Sequence, residues 1–223
     1  MTTGIRTLLF DLDGTILDTN ELIIQSFLHA LDGLMPAGFG REHIIPSMGL
    51  PLAVQMQGFS KLEEVSHLVS IYREINLRLH DEYVKPFPYV QEVLARLHAE
   101  GFQIGIVTTK ARLTTERGLR YTKLYDYVVP EGVITIDDVV NPKPHPEPVL
   151  KAIEALGADP ATTMMIGDST VDIEAAEEAG CISVGVAWSL KGEVKLLESG
   201  ARHIIHDMRD LYELVGLERE PLA

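Results

Sequence analysis

Residues 7–15 read TLLFDLDGT, an apolar run that passes directly into two carboxylates, a glycine and a hydroxyl. The run is too short for a surface helix and carries no polar alternation, so it predicts a strand buried on both faces, as in a parallel sheet. Asp11 and Asp13 then fall at the carboxyl end of that strand, where open α/β sheets place their ligand crevice. Gly14 lets the backbone turn sharply there. A D-x-D pair alone suits a helix cap or a solvated turn equally well. Its place at the end of an apolar strand is what points to chemistry.

Outward from that stretch, the whole chain sets limits. With 223 residues, 46% of them hydrophobic, it suits one large domain or a core with a smaller companion. No apolar run approaches the roughly 20 residues of a membrane-spanning helix, and no signal-peptide pattern opens the chain. The expected compartment is the cytoplasm. A single cysteine, Cys181, excludes an internal disulfide, and its apolar neighbours mark it as a small buried residue. A net charge of −14 argues against nucleic acid and anionic membranes as partners. It also opposes a small anionic substrate. If the ligand is a phosphate compound, a metal ion and nearby cations must reverse the field at the site.

After the first strand, a cluster of capping residues, Asp18 to Glu21, precedes a helical pattern carried by Leu22, Ile23, Phe27, Ala30 and Leu31. A short helix near 41–46 and a longer one over 62–79 follow, with no strand between about 19 and 84. The segment KPFP at 85–88 reads as an extended linker. Beyond it helices and strands alternate. Helices are expected at 89–100, 113–121, 146–156 and 171–179, with strands at 102–108, 132–136, 163–167 and 182–187. A short helix near Glu193, a strand at 203–205 and a helix at 208–215 close the chain. Alternation of this kind implies a parallel sheet. The economical architecture is an α/β core of residues 1–17 and 86–223, with a helical insertion, 18–85, between its parts.

Three further stretches place reactive groups at strand ends or in stiff loops. Strand FQIGIVT ends in Thr108, followed by Thr109, Lys110 and Arg112. NPKPHP holds Lys143 in a segment too rich in proline to be helix or central strand. Strand MMIG runs into Asp168, Ser169 and, four residues after Asp168, Asp172. Each alone also reads as a cap or a turn. Together, in this order, DLDGT, IVTT, NPKPHP and GDSTVD resemble the four motifs of the haloacid dehalogenase-like phosphohydrolases.

That resemblance implies a three-layer, Rossmann-like parallel-sheet core with an inserted small α-helical cap at 18–85. It implies covalent phosphoryl transfer, with Asp11 as nucleophile and Asp13 as general acid and then base. Thr108, by its hydroxyl, and Thr109, by its amide, would hold the phosphoryl oxygens, and Lys143 would neutralise the nucleophile and those oxygens. Lys110 and Arg112 are secondary candidates for substrate contact. Mg²⁺ would sit on Asp11, the main-chain carbonyl of Asp13 and Asp168, supported by Ser169 and Asp172. Gly49, in the loop SMGLPL, would approach the substrate from the cap. Asp13 argues against the dehalogenase branch. Lys61 and Lys85, the lysines of the cap, lie in no recognisable Schiff-base motif.

Three longer stretches, 19–32, 105–112 and 185–192, resemble the family's bacterial pyrophosphatases, of the phosphoglycolate phosphatase-like group. Those enzymes remove pyrophosphate released when serine-phosphorylated HPr is dephosphorylated. The alternatives are a phosphatase for phosphoglycolate or another small phosphomonoester, and a non-catalytic phosphate-binding protein. His145, where the branch usually carries aspartate, and the stretch 55–60 depart from its pattern. His145 and Lys191 read as solvated loop residues, and Trp188 as packing. Oligomeric state is not legible.

Overall fold

A computed structural model of the chain describes residues 4–219, so residues 1–3 and 220–223 of the expected core lie outside the described residues. Strand β1 (Thr7–Phe10) is wholly buried. It lies at the middle of a six-stranded sheet with β4 (Gln103–Val107), β5 (Val133–Ile134), β6 (Thr163–Gly167), β7 (Ile182–Val186) and β8 (His203–Ile205). The order is β5-β4-β1-β6-β7-β8, and every pairing is parallel. The chain builds outward from β1 to β4 and β5, then returns to the other side of β1 for β6. Strand order therefore reverses at β1, which opens a crevice at the carboxyl ends of β1, β4 and β6.

Alternation along the strands fills two cores. Leu8 and Phe10 join Val93 and Leu97 of α5 (Val90–Ala99) and Leu211 of α10 (Leu211–Val215) on one face. Leu9 and Met165 meet Val149 and Ile153 of α7 (Glu147–Leu156) and Ala175 of α8 (Thr170–Glu178) on the other. Helices α6 (Arg112–Tyr121) and α9 (Glu193–Glu198) complete the layers. Burying each Leu or Phe side chain of β1 stabilises the fold by about 1.5–3 kcal/mol relative to exposure, which fixes the strand that carries Asp11.

The helical stretch after DLDGT leaves and rejoins the core through a small antiparallel pair, β2 (Leu17–Asp18) with β3 (Lys85–Pro86). Between them lie α1 (Asn20–Ala30), α2 (Arg41–Ile44), α3 (Leu52–Ser60) and α4 (Ser66–Tyr83). They bury an apolar cluster of their own, with Phe27 against Phe59 and Tyr72.

The differences from the sequence reading have local causes. Helix α3 was not expected: the apolar run Leu52 to Val54 is interrupted by Gln55 and Gln57, and the helix buries Gln55, which bonds Ser47 Oγ and the Leu50 carbonyl. Helix α4 starts later and runs a turn further than 62–79, ending against the Lys85-Pro86 strand. The strand expected over 132–136 is only two residues long, because Ile136–Asp138 turns into a 3₁₀ helix closed by Asp138 onto Thr135. Among the described residues no helix is long and apolar enough to cross a membrane. Cys181 is buried, and burial pushes its thiol up to about 12.

Candidate active site

In the sheet register Phe10 lies beside Ile106 and Ile166, so the residues that follow each strand emerge at one edge. The Asp11 N–H donates to the Ile166 carbonyl (2.9 Å) and extends the ladder by one step. Gly14 follows at φ +81°, and a Cβ there would come within 2.7 Å of Asp168 Oδ2. The turn thus brings DLDGT against the end of β6, and only glycine fits.

Lys143 reaches the same point from the loop before α7. Its ammonium donates to Asp11 Oδ1 (2.8 Å), the Val107 carbonyl (2.8 Å) and Asp172 Oδ1 (2.5 Å). All three of its N–H groups are used within the protein. Asp172 Oδ2 accepts from the Ser169 N–H (3.0 Å) and hydroxyl (2.7 Å), so both oxygens of this buried carboxylate are taken as well.

Three buried carboxylates, those of Asp11, Asp168 and Asp172, present oxygens within 4.8 Å of one another. Burial pushes Asp11 up to about 7, with Lys143 opposing and Asp172 and Asp168 adding. Burial likewise raises Asp168 to about 6, Lys191 opposing and Asp172 adding. Burial also works against the charge of Lys143, but Asp11 and Asp172 outweigh it and hold the ammonium above the usual lysine range. Among the described residues neither side-chain oxygen of Asp168, nor Oδ2 of Asp11, accepts a hydrogen bond. Hard oxygen donors so grouped at the edge of a cavity fit a divalent cation. Asp172, already saturated, supports them.

Asp13 is held differently. Thr19 Oγ1 donates to its Oδ1 (2.8 Å), and Lys110 Nζ lies 3.0 and 2.9 Å from its two oxygens. The sequence reading missed both links: Thr19 read as a helix cap, yet its hydroxyl makes no cap bond, and Lys110 read as a secondary substrate contact. Arg112 turns away from the site to Asp138 (2.6 Å) and the Val133 carbonyl (2.8 Å).

The Thr108 hydroxyl accepts from the Lys110 N–H (3.2 Å) and donates to no group among the described residues. Thr109 Oγ1 donates to the Gly49 carbonyl (3.0 Å), joining the second motif to the loop before α3. Above the carboxylates lies a cavity of about 390 Å³, bounded by Asp11, Asp13, Thr108 and Asp168 below and by Gly49 and Arg73 of the helical stretch above. His145 is exposed, as expected, and Trp188 packs against Phe87 at 5.8 Å between ring centres. Lys191 is not solvated: its side chain is 6% exposed and lies 3.7 Å from Asp168 Oδ2. Nothing in its short SLKG context signals that burial.

Residues 8–186 match the model of the haloacid dehalogenase-like hydrolases. The chain belongs to that family. It is 42% identical over 214 residues to a pyrophosphatase PpaX of Bacillus velezensis, covering 96% of this chain and 98% of the relative. A pyrophosphatase PpaX of Bacillus mycoides is 43% identical, covering 95% and 97%. Among solved structures, a hydrolase from Pseudomonas syringae superposes with a TM-score of 0.83 at 25% identity, covering 93% of this chain and 96% of the other. The chain is a hydrolase enzyme of the phosphohydrolase kind, with residues that could hold a metal ion.

Proposed function

We propose that this hydrolase cleaves inorganic pyrophosphate with Mg²⁺ through an aspartyl-phosphate on Asp11. The observation that carries the reading is the state of Asp11. One oxygen is held by Lys143, and the other, with no donor among the described residues, belongs to a carboxylate on the floor of the cavity. Likeness over nearly the full length to proteins named pyrophosphatase supports the substrate.

Asp11 and Asp168, with the main-chain carbonyl of Asp13, would hold the cation, which supplies charge neutralisation to the phosphoryl oxygens. Asp11 Oδ2 attacks phosphorus in line, and the bond to the bridging oxygen breaks. Thr108, by its hydroxyl, and Thr109, by its amide, hold the transferred group. Lys143 opposes the burial that raises Asp11 and so favours its ionised form, and Ser169 and Asp172 keep Lys143 in place. Asp13 gives a proton to the departing phosphate, then takes one from the water that attacks the aspartyl-phosphorus and restores Asp11. Both oxygens of Asp13 face Lys110, so the arriving anion must draw Lys110 away before Asp13 exchanges a proton.

We further read residues 18–85 as a cap over a core of 1–17 and 86–223, with Gly49 closing on the substrate. In a cytoplasmic setting the pyrophosphate would come from dephosphorylation of serine-phosphorylated HPr. The test is the initial rate of phosphate release from pyrophosphate, phosphoglycolate and p-nitrophenyl phosphate, with Mg²⁺ or EDTA, and with Asp11→Asn as blank. The expected result is the highest kcat/KM for pyrophosphate, lost in EDTA and in the blank. A higher value for phosphoglycolate transfers the assignment to a phosphomonoester phosphatase.

A further inference from the structure

Three lysines surround the carboxylates, and their donor counts differ. Lys143 spends all three N–H groups on Asp11, Val107 and Asp172. Lys110 is bound to Asp13. Lys191 Nζ is buried and makes no hydrogen bond among the described residues. Its closest charged neighbour is Asp168 Oδ2, at 3.7 Å. A buried ammonium with its donors unmade costs several kcal/mol, so this arrangement suits a partner that arrives with the ligand.

The surroundings of the ammonium indicate which ligand atoms it meets. A Cβ built on Gly49 would lie 3.4 Å from Lys191 Nζ and 2.8 Å from Ser169 Oγ. The ammonium is therefore wedged between Asp168 and the loop that Thr109 clasps by its hydroxyl. The backbone on the core side is also fixed: Ser189 Oγ donates to the Asp168 carbonyl (2.6 Å) and accepts from the Lys191 N–H (3.1 Å). An in-line attack from Asp11 puts the leaving group opposite the attacking oxygen, in the cavity that Gly49 also lines. Once Asp168 ligates a cation, its charge is no longer free to balance the lysine.

We propose that Lys191 is a specificity-determining residue for the leaving half of the substrate: its ammonium donates to an oxygen of a second phosphoryl group. The class favoured is a diphosphate, over monoesters whose leaving group carries no phosphate. The proposal rests on Asp11 being the nucleophile. It gives Lys191 no part in holding the transferred phosphoryl, which both substrate classes share.

The test compares wild type, Lys191→Met and Lys191→Arg on pyrophosphate and p-nitrophenyl phosphate at saturating Mg²⁺. Loss of a charge-assisted bond should raise KM for pyrophosphate about tenfold in Lys191→Met. In the same variant kcat, and KM for the monoester, should stay within about twofold of wild type. Lys191→Arg should recover most of the loss, and in EDTA the melting temperature of Lys191→Met should fall by no more than a few degrees, since Lys191 gives Asp168 an ion pair at 3.7 Å and no hydrogen bond. An equal rise for both substrates, no rise for pyrophosphate, or a rise abolished by more Mg²⁺ overturns the proposal. If wild type cleaves the monoester and not pyrophosphate, the pyrophosphatase reading fails by itself. Pyrophosphate as an inhibitor of monoester hydrolysis then carries the test: an inhibition constant about tenfold weaker in Lys191→Met sustains it, and an equal one overturns it.

Discussion

Asp11 and Asp13 stand two residues apart on one turn, yet their partners come from different parts of the molecule. Asp11 is held by Lys143, which is itself braced by Val107 and Asp172, all on the sheet or on loops and helices packed against it. Asp13 is shared between Lys110, at the end of β4, and Thr19, where the chain enters α1. The carboxylate assigned to covalent chemistry thus rests on the rigid sheet edge. The carboxylate assigned to proton transfer answers to the position of the helical insertion. If residues 18–85 close as proposed, such a division lets that closure set proton transfer without disturbing the nucleophile.

The largest effect expected from this contrast separates the two lysines. Lys143→Met leaves Asp11, Asp168 and Asp172 buried without their shared cation, and should cost about 3 kcal/mol in urea unfolding in EDTA. Phosphate release should fall about a hundredfold or more. Lys110→Met breaks a pair of side chains 11% and 19% exposed at the cavity wall, with a single carboxylate left behind, and should cost less than Lys143→Met. Equal losses of stability would break the comparison.

A smaller effect concerns pH. Asp11 is raised to about 7 and Asp168 to about 6, above the usual carboxylate range, chiefly by burial. Between roughly pH 4 and 7 the native state therefore holds more protons than the unfolded one, and these two groups make metal-free stability fall as pH rises. His80 works with the opposite sign near the top of that window, because burial lowers it, so each pH needs its own reference. The quantity to measure is the rise in melting temperature on adding Mg²⁺, relative to EDTA at the same pH. It should be near zero at about pH 4 and grow through about pH 7, as the two carboxylates ionise for the cation. A rise independent of pH would place the cation elsewhere.

The sheet and the order of the motifs were legible because their signals are local. An apolar run followed by Asp, Thr or Asp marks the ends of β1, β4 and β6, and proline marks the Lys143 loop. What escaped depends on partners distant in sequence. Lys110 meets Asp13 across 97 positions, and the cap-like Thr19 spends its hydroxyl on a carboxylate instead of a helix end. The burial of Lys191 arises from the meeting of the SLKG loop with Asp168 and Gly49, which no window of sequence contains. Helix α3 was hidden because Gln55 breaks its apolar face, a break resolved only when that side chain finds polar partners inside.

The smallest predicted effect tests the hydrogen bond by which Thr109 ties the second motif to the insertion. Thr109 Oγ1 donates to the Gly49 carbonyl, while the Thr109 amide is the group assigned to the phosphoryl oxygens. Thr109→Val keeps shape and amide and deletes only the hydroxyl donor. A neutral hydrogen bond is worth about 1 kcal/mol, so KM for pyrophosphate should rise about fivefold as the Gly49 loop loosens. Global stability should hardly change, because Gly49 is linked here to the core without belonging to either apolar layer of the sheet. If KM holds while kcat falls, the loop is seated without this bond and Thr109 acts on the transferred group. The insertion would then be positioned by packing, by its β2–β3 stem and by the bonds of Arg117 and Tyr121 to Leu77 and Asp81, and the contrast between Asp11 and Asp13 would rest on Thr19 and Lys110.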